Sequence, residues 1–162
     1  MPAPSAHDHA LPLPGGGALR LADYAGRPVL LVNVASQCGY TPQYAGLEAL
    51  WRRLKPRGLV VLGVPSNDFG QQEPGTDDEI GAFCRAKYDV TFPLAAKQRV
   101  IGPEAHPLYR WIAAELGEDM APKWNFHKYL IGPRGDIDGA WPSRTPPEGR
   151  AILDAIGPFL AR

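Results

Sequence analysis

The chain has 162 residues, 44% of them hydrophobic, which is enough for one domain with a sizeable core and excludes a disordered chain. Seventeen basic and seventeen acidic residues cancel, so no excess charge drives binding to nucleic acid or to an anionic membrane surface. No apolar run approaches the length of a membrane span, and two cysteines are too few for a disulfide framework, although they suffice for one working pair.

Residues 1–16, within "MPAPSAHDHALPLPGGG", read as a flexible arm, because proline and glycine are dense there. The arm lacks the basic and apolar regions of a secretory signal. The chain also has no Asn-x-Ser/Thr sequon. A reducing, cytoplasmic setting is the expectation. Residues 17–162 form a single domain. "ALRLADYAG" predicts a short strand and turn. Arg27 to Ala35 is apolar on both faces and predicts a central, buried strand. Tyr44, Leu47, Leu50, Trp51 and Leu54 recur at helical spacing over 43–54, which Lys55-Pro56-Arg57-Gly58 closes. "LVVLGVP", 59–65, is a second buried strand, followed by the polar loop "SNDFGQQEPG".

Thr76-Asp77-Asp78-Glu79 is a capping box that opens a helix with Ile80, Phe83, Cys84 and Tyr88 on one face. "VTFPLAA" is extended. Residues 104–116 predict a helix with Leu108, Trp111, Ile112 and Leu116 inward. "FHKYLIGPRGDIDGAW" reads as two strands joined at Gly132-Pro133-Arg134-Gly135. A last helix starts at Pro146-Pro147 and carries Ile152, Ile156, Phe159 and Leu160. This order predicts an α/β fold, with a central mixed sheet flanked by helices on both faces.

Cys38, in "SQCGYTP", lies on the first strand-to-helix loop, at the carboxyl end of a central strand. Open α/β sheets place their sites there. The N–H groups and partial positive charge of the following helix favour a thiolate, so Cys38 reads as a redox or nucleophilic cysteine rather than a packing residue. Cys38-Gly39-Tyr40-Thr41 resembles a thioredoxin-type Cys-x-x-Cys motif whose second cysteine is threonine. Cys84 is then the other thiol in the chain, but taken alone, on an apolar helix face, it reads as core.

Four blocks, "LVNVASQCGYTPQYAGLEAL", "GVPSNDFGQQEPGTDDEI", "FCRAKYDVTFP" and "KWNFHKYLIGPRGD", resemble the glutathione peroxidase family in order and spacing. They cover most of residues 17–145. The resemblance implies a thioredoxin-like fold and a thiol peroxidase that reduces hydrogen peroxide and organic or lipid hydroperoxides. By position it makes Cys38 the peroxidatic residue, and Gln72, Trp124 and Asn125 the remaining members of the active-site tetrad. Each of those three, taken alone, reads as an ordinary loop, core or cap residue. The resemblance also makes Cys84 the resolving cysteine of members recycled by thioredoxin.

Chemically these roles fit together. A thiolate attacks one peroxide oxygen, the other leaves as water or alcohol, and neutral donors support the charge on the leaving oxygen. The Cys38 sulfenic acid then condenses with Cys84. A disulfide needs Cα atoms within roughly 7 Å. The helix bearing Cys84 is therefore expected to unwind partly during turnover. No cofactor is expected beyond thioredoxin as reducing co-substrate. A glutathione-dependent peroxidase and a peroxide-sensing thiol relay are the alternatives.

The segment from Lys97 to Pro122 lacks the insertion that tetrameric relatives use, so a monomer is expected. No nucleic acid partner, membrane insertion or metal site is expected, because the histidines are scattered. Ser66 and Asp68 depart from the family pattern; Asp68 is expected to be exposed or to cap a turn, unless it points at Cys38. His127 has an auxiliary proton role open to it, and Lys123 and Arg134 read as surface charges.

Overall fold

The computed structural model describes residues 4–162. Two short strands come first, β1 (Ala10–Pro12) and β2 (Ala18–Arg20). A 3-10 turn leads to β3 (Val29–Val34), α1 (Gln43–Leu54) and β4 (Val60–Pro65). Then follow α2 (Asp77–Tyr88), α3 (Pro107–Leu116), the hairpin β5 (Lys128–Ile131) and β6 (Ile137–Trp141), and α4 (Arg150–Ile156).

The main sheet has the order β4-β3-β5-β6. β3 and β4 are parallel, while β5 runs antiparallel to both β3 and β6. Every residue of β3, β4 and β5 is buried, so both faces of the sheet are covered, as its near-continuous apolar strands predict. β4 is the last strand on its side, yet its edge is closed. Gly63 donates to Pro93 O and accepts from Ala95 N–H at 3.0 and 2.9 Å. "VTFPLAA" is therefore extended because it seals a sheet edge. Glycine at 63 lets this segment approach closely, since a Cβ there would meet Leu94 Cδ2 at 2.6 Å and force that side chain to move.

Two helix starts differ from expectation. α3 begins at Pro107 rather than 104, because the His106 Nδ1 accepts the Leu108 N–H at 3.0 Å and caps the helix. α4 begins at Arg150 rather than at Pro146-Pro147, because Pro146 to Gly149 close a turn first. The Thr76 capping box forms as read, with both reciprocal bonds present.

The irregular arm expected over 1–16 is corrected for its described part. Ser5 caps a 3-10 turn at Ala6–Asp8, and β1 pairs with β2. Ala6 and Leu11 are fully buried. Proline and glycine serve this hairpin instead of breaking it. Pro12 ends β1, and Gly15, Gly16 and Gly17 take positive φ in the connecting turn. Residues 1–3 lie outside the described residues.

Candidate active site

Cys38 sits in a turn between β3 and α1 and is 8% exposed. Thr41 builds that turn. Its Oγ1 accepts the Cys38 N–H at 2.8 Å and donates to Ala35 O at 2.8 Å. The backbone N–H that reaches the Cys38 Sγ belongs to Tyr40, at 3.3 Å. The donor thus comes from the turn itself, before the first residue of α1.

Two further loops close on this turn. Gln72 O accepts the Gln37 N–H at 3.0 Å, which ties the 69–72 loop to the cysteine loop. Gly70 and Gln71 both have positive φ, and this brings the chain against the Trp124 ring. A Cβ at Gly70 would meet that ring at 3.0 Å. Phe69 also packs against that ring, with ring centroids 5.8 Å apart. Asn125 is fully buried, and its Nδ2 donates to Gln72 Oε1 at 3.0 Å and to Phe69 O at 3.4 Å. Cys38, Gln72, Trp124 and Asn125, far apart in sequence, thus come from three loops joined by hydrogen bonds and packing.

Asn33 and Lys128 hold the third loop, and sequence reasoning missed both. Asn33, buried in β3, donates to Trp124 O at 3.0 Å and accepts the Phe126 N–H at its own backbone carbonyl. Phe126 has φ of 65°, a strained value for a non-glycine residue. The fully buried Lys128 donates from Nζ to Phe126 O at 2.7 Å and to Ser143 O at 3.0 Å. Burial without a carboxylate partner lowers its pKa to about 7. The available signals were Asn33, a lone polar residue in "VLLVNV", and a lysine inside a buried strand.

Asp68 is half-buried rather than exposed, and its Oδ2 accepts the N–H groups of Val100 and Ile101 at 2.6 and 3.2 Å, beside the turn that follows them. Lys123 and Arg134 are exposed, as read. His127 is buried against Tyr129, and burial, helped by the charges of Lys128 and Lys123, lowers its pKa to about 4. It is therefore neutral at physiological pH. An apolar groove of about 480 Å³ opens beside Trp124, lined also by Tyr40, Met120, His127 and Trp141.

Cys84 belongs to α2 rather than to any of the three loops. It is fully buried on α2, which runs unbroken through it, and both cysteines are free thiols. Burial pushes its thiol up. No cluster of three or more metal-ligating side chains exists among the described residues, and no helix there is long and apolar enough to cross a membrane.

Residues 9–113 match the family model for glutathione peroxidase. The chain belongs to the glutathione peroxidase family. This peroxidase is 48% identical over 130 residues to a hydroperoxy fatty acid reductase of Synechocystis sp., covering 75% of this chain and 77% of that one. It is 44% identical over 136 residues to a glutathione peroxidase-like peroxiredoxin of Schizosaccharomyces pombe, covering 82% and 85%. The crystal structure of Trgpx in its apo form superposes with a TM-score of 0.76 at 38% identity, covering 96% of this chain and 97% of that one. The thioredoxin domain of a thiol-disulfide oxidoreductase from Bacteroides vulgatus has a TM-score of 0.61 at 14% identity, covering 99% and 96%, and this likeness bears on the fold alone. The fold is thioredoxin-like.

Proposed function

We propose that this peroxidase reduces hydrogen peroxide and organic hydroperoxides at Cys38, closes a Cys38–Cys84 disulfide, and is recycled by thioredoxin. The observation that carries the reading is the union of the Cys38, Gln72 and Trp124-Asn125 loops by hydrogen bonds from Gln37 to Gln72 and from Asn125 to Gln72.

The Cys38 thiolate attacks the terminal peroxide oxygen. The O–O bond breaks, the sulfur becomes a sulfenic acid, and the other oxygen leaves with a proton as water or alcohol. The Gln72 amide and the Trp124 indole N–H serve as uncharged donors to the leaving oxygen, while Asn125, which donates to Gln72 Oε1 and Phe69 O, holds the Gln72 amide in place. The apolar groove beside Trp124 suits a hydroperoxide with a long hydrocarbon tail. That agrees with the name of the Synechocystis relative.

Cys84 then attacks the sulfenic sulfur and releases water. Its burial in an intact α2 requires this helix to open locally first. We place the cycle in a monomer without a bound cofactor in the cytoplasm, where thioredoxin supplies electrons. Peroxide turnover with thioredoxin or glutathione, on wild type and Cys84→Ser, tests the reading. Turnover with thioredoxin is expected in wild type and its loss in Cys84→Ser. Undiminished thioredoxin-supported turnover in Cys84→Ser would overturn the two-cysteine cycle.

A further inference from the structure

The groove beside Trp124 collects the apolar surface of the protein. Tyr40, Met120 and Trp124, the large hydrophobic side chains left exposed among the described residues, all line it. The backbone N–H of Tyr40 is the one that reaches the Cys38 Sγ, so the groove adjoins the sulfur. His127 lines it as well, and so do Trp141 and Ser143, at the end of β6 and just beyond it. Loops of this kind hold a shape only where their backbone is tied to something rigid.

Two adjacent residues at the start of β5 make those ties. Lys128 and Tyr129 are fully buried, and neither lines the groove. Lys128 Nζ donates to Phe126 O at 2.7 Å and to Ser143 O at 3.0 Å. Tyr129 Oη donates to Met120 O at 2.5 Å. All three acceptors are backbone carbonyls, so these bonds fix the path of the chain rather than the pose of one side chain. Phe126 stands between Trp124 and His127, while Met120 and Ser143 are lining residues themselves. Ser143 O also accepts Gln43 Nε2 at 2.8 Å, which ties the same segment to the first residue of α1. β5 lies between β3 and β6, so the anchor is the sheet itself.

An amine buried without a carboxylate costs free energy, and an apolar side chain of similar length would fill the same volume without that cost. What such a side chain lacks is a donor that reaches two segments at once.

We propose that Lys128 and Tyr129 are positioning residues that set the shape of the groove, and through it the rate at which long-chain hydroperoxides reach Cys38. This rests on the reading of the groove as the seat of a hydrocarbon tail. Hydrogen peroxide has no tail and gains nothing from the groove. A long-chain hydroperoxide gains orientation from it only while the lining segments hold still.

Stopped-flow oxidation of Cys38 by hydrogen peroxide, tert-butyl hydroperoxide and linoleic acid hydroperoxide tests this. Lys128→Met should slow hydrogen peroxide several-fold through Phe126, and linoleic acid hydroperoxide by at least about ten-fold more. Tyr129→Phe removes one hydroxyl and leaves the Phe126 clamp in place. It should slow linoleic acid hydroperoxide by about three- to ten-fold more than hydrogen peroxide. In both variants tert-butyl hydroperoxide, which has no long tail, should follow hydrogen peroxide. Equal slowing of all three peroxides would overturn the positioning role, as the mark of a general loss of structure, and so would unchanged rates for all three. Should Lys128→Met not fold, Tyr129→Phe decides alone between these outcomes. A wild type oxidised no faster by linoleic acid hydroperoxide than by tert-butyl hydroperoxide would overturn the tail-seating groove itself, and the positioning role with it.

Discussion

Asn125 Nδ2 donates to Gln72 Oε1 at 3.0 Å, and this bond decides which way the Gln72 amide faces. With its oxygen occupied, Gln72 is left to offer its NH₂ group as a donor. Asn125, whose Nδ2 also donates to Phe69 O, therefore acts through Gln72, as the group that orients it.

Asn125→Ala is expected to slow Cys38 oxidation by roughly 10- to 100-fold, the scale of losing an oriented donor. Asn125→Asp should be at least as harmful, because a carboxylate attracts the Gln72 NH₂ and turns the amide around. Stopped-flow oxidation by hydrogen peroxide measures both. An Asn125→Asp rate equal to wild type would count against this orienting role.

Thr41 occupies the position at which a Cys-x-x-Cys motif has its second thiol, and it spends its hydroxyl on the Cys38 N–H and Ala35 O. Thr41→Val should leave both groups unpaired and cost about 1–3 kcal/mol of stability. Thr41→Ser, which keeps the hydroxyl, should recover most of it. Denaturant unfolding compares the three proteins.

Glu48 on α1 is buried, and its carboxylate accepts the Thr91 N–H at 2.7 Å, the Thr91 hydroxyl at 2.6 Å and the Phe92 N–H at 3.3 Å. Burial works against the charge, but the hydrogen bonds from Thr91, Arg52 and Phe92 outweigh it and hold the carboxyl below its ordinary value of 4.5. The unfolded chain takes up the proton first as pH falls, so this stabilisation is full above pH 4.5 and is lost below it. Glu48→Gln should lower stability at pH 7 by about 1–3 kcal/mol and lose less than wild type on acidification below that point. Thermal melts across that range test the sign.

Lys128 gives a pH dependence of the same sign in a higher window. Its pKa falls from 10.5 to about 7 on folding, so between those values the unfolded chain binds more protons than the folded one. Stability from this group rises with pH across that window, by at most roughly 1.4 kcal/mol per pH unit. Lys128→Met should abolish the rise, visible as the difference between wild-type and variant unfolding at pH 7 and pH 9. It should also slow Cys38 oxidation several-fold, because Phe126 O loses its clamp.

The legible parts of the chain were those governed by period and capping. The buried strands, α1 and the Thr76 box follow from local pattern, and the structure places them within a residue or two. The N-terminal hairpin was not legible, because proline and glycine mark both loose chain and tight turns. Whether Leu11 finds a pocket is a tertiary matter. In the site, Cys38 announces itself by its place on a loop. Gln72, Trp124 and Asn125 are unremarkable singly and were found through the family's joint pattern. Asn33 and Lys128 stayed hidden, because a polar residue's burial and partners are set by loops distant in sequence.

The docking of the first residues constrains how the chain can come together. Ala6 N–H donates to Gly135 O at 2.9 Å, and a Cβ at Gly135 would meet Ser5 Oγ at 2.8 Å. The segment around Ala6 thus has its seat in the turn between β5 and β6, far along the chain from it. That seat does not exist until the turn has formed, and reaching it closes most of the polypeptide into one loop, an entropic cost that earlier contacts must offset. Until that turn forms, Ala6 stays unseated. Its docking is accordingly a late folding event, and native-state hydrogen exchange should find the Ala6 amide opening more readily than those of β3.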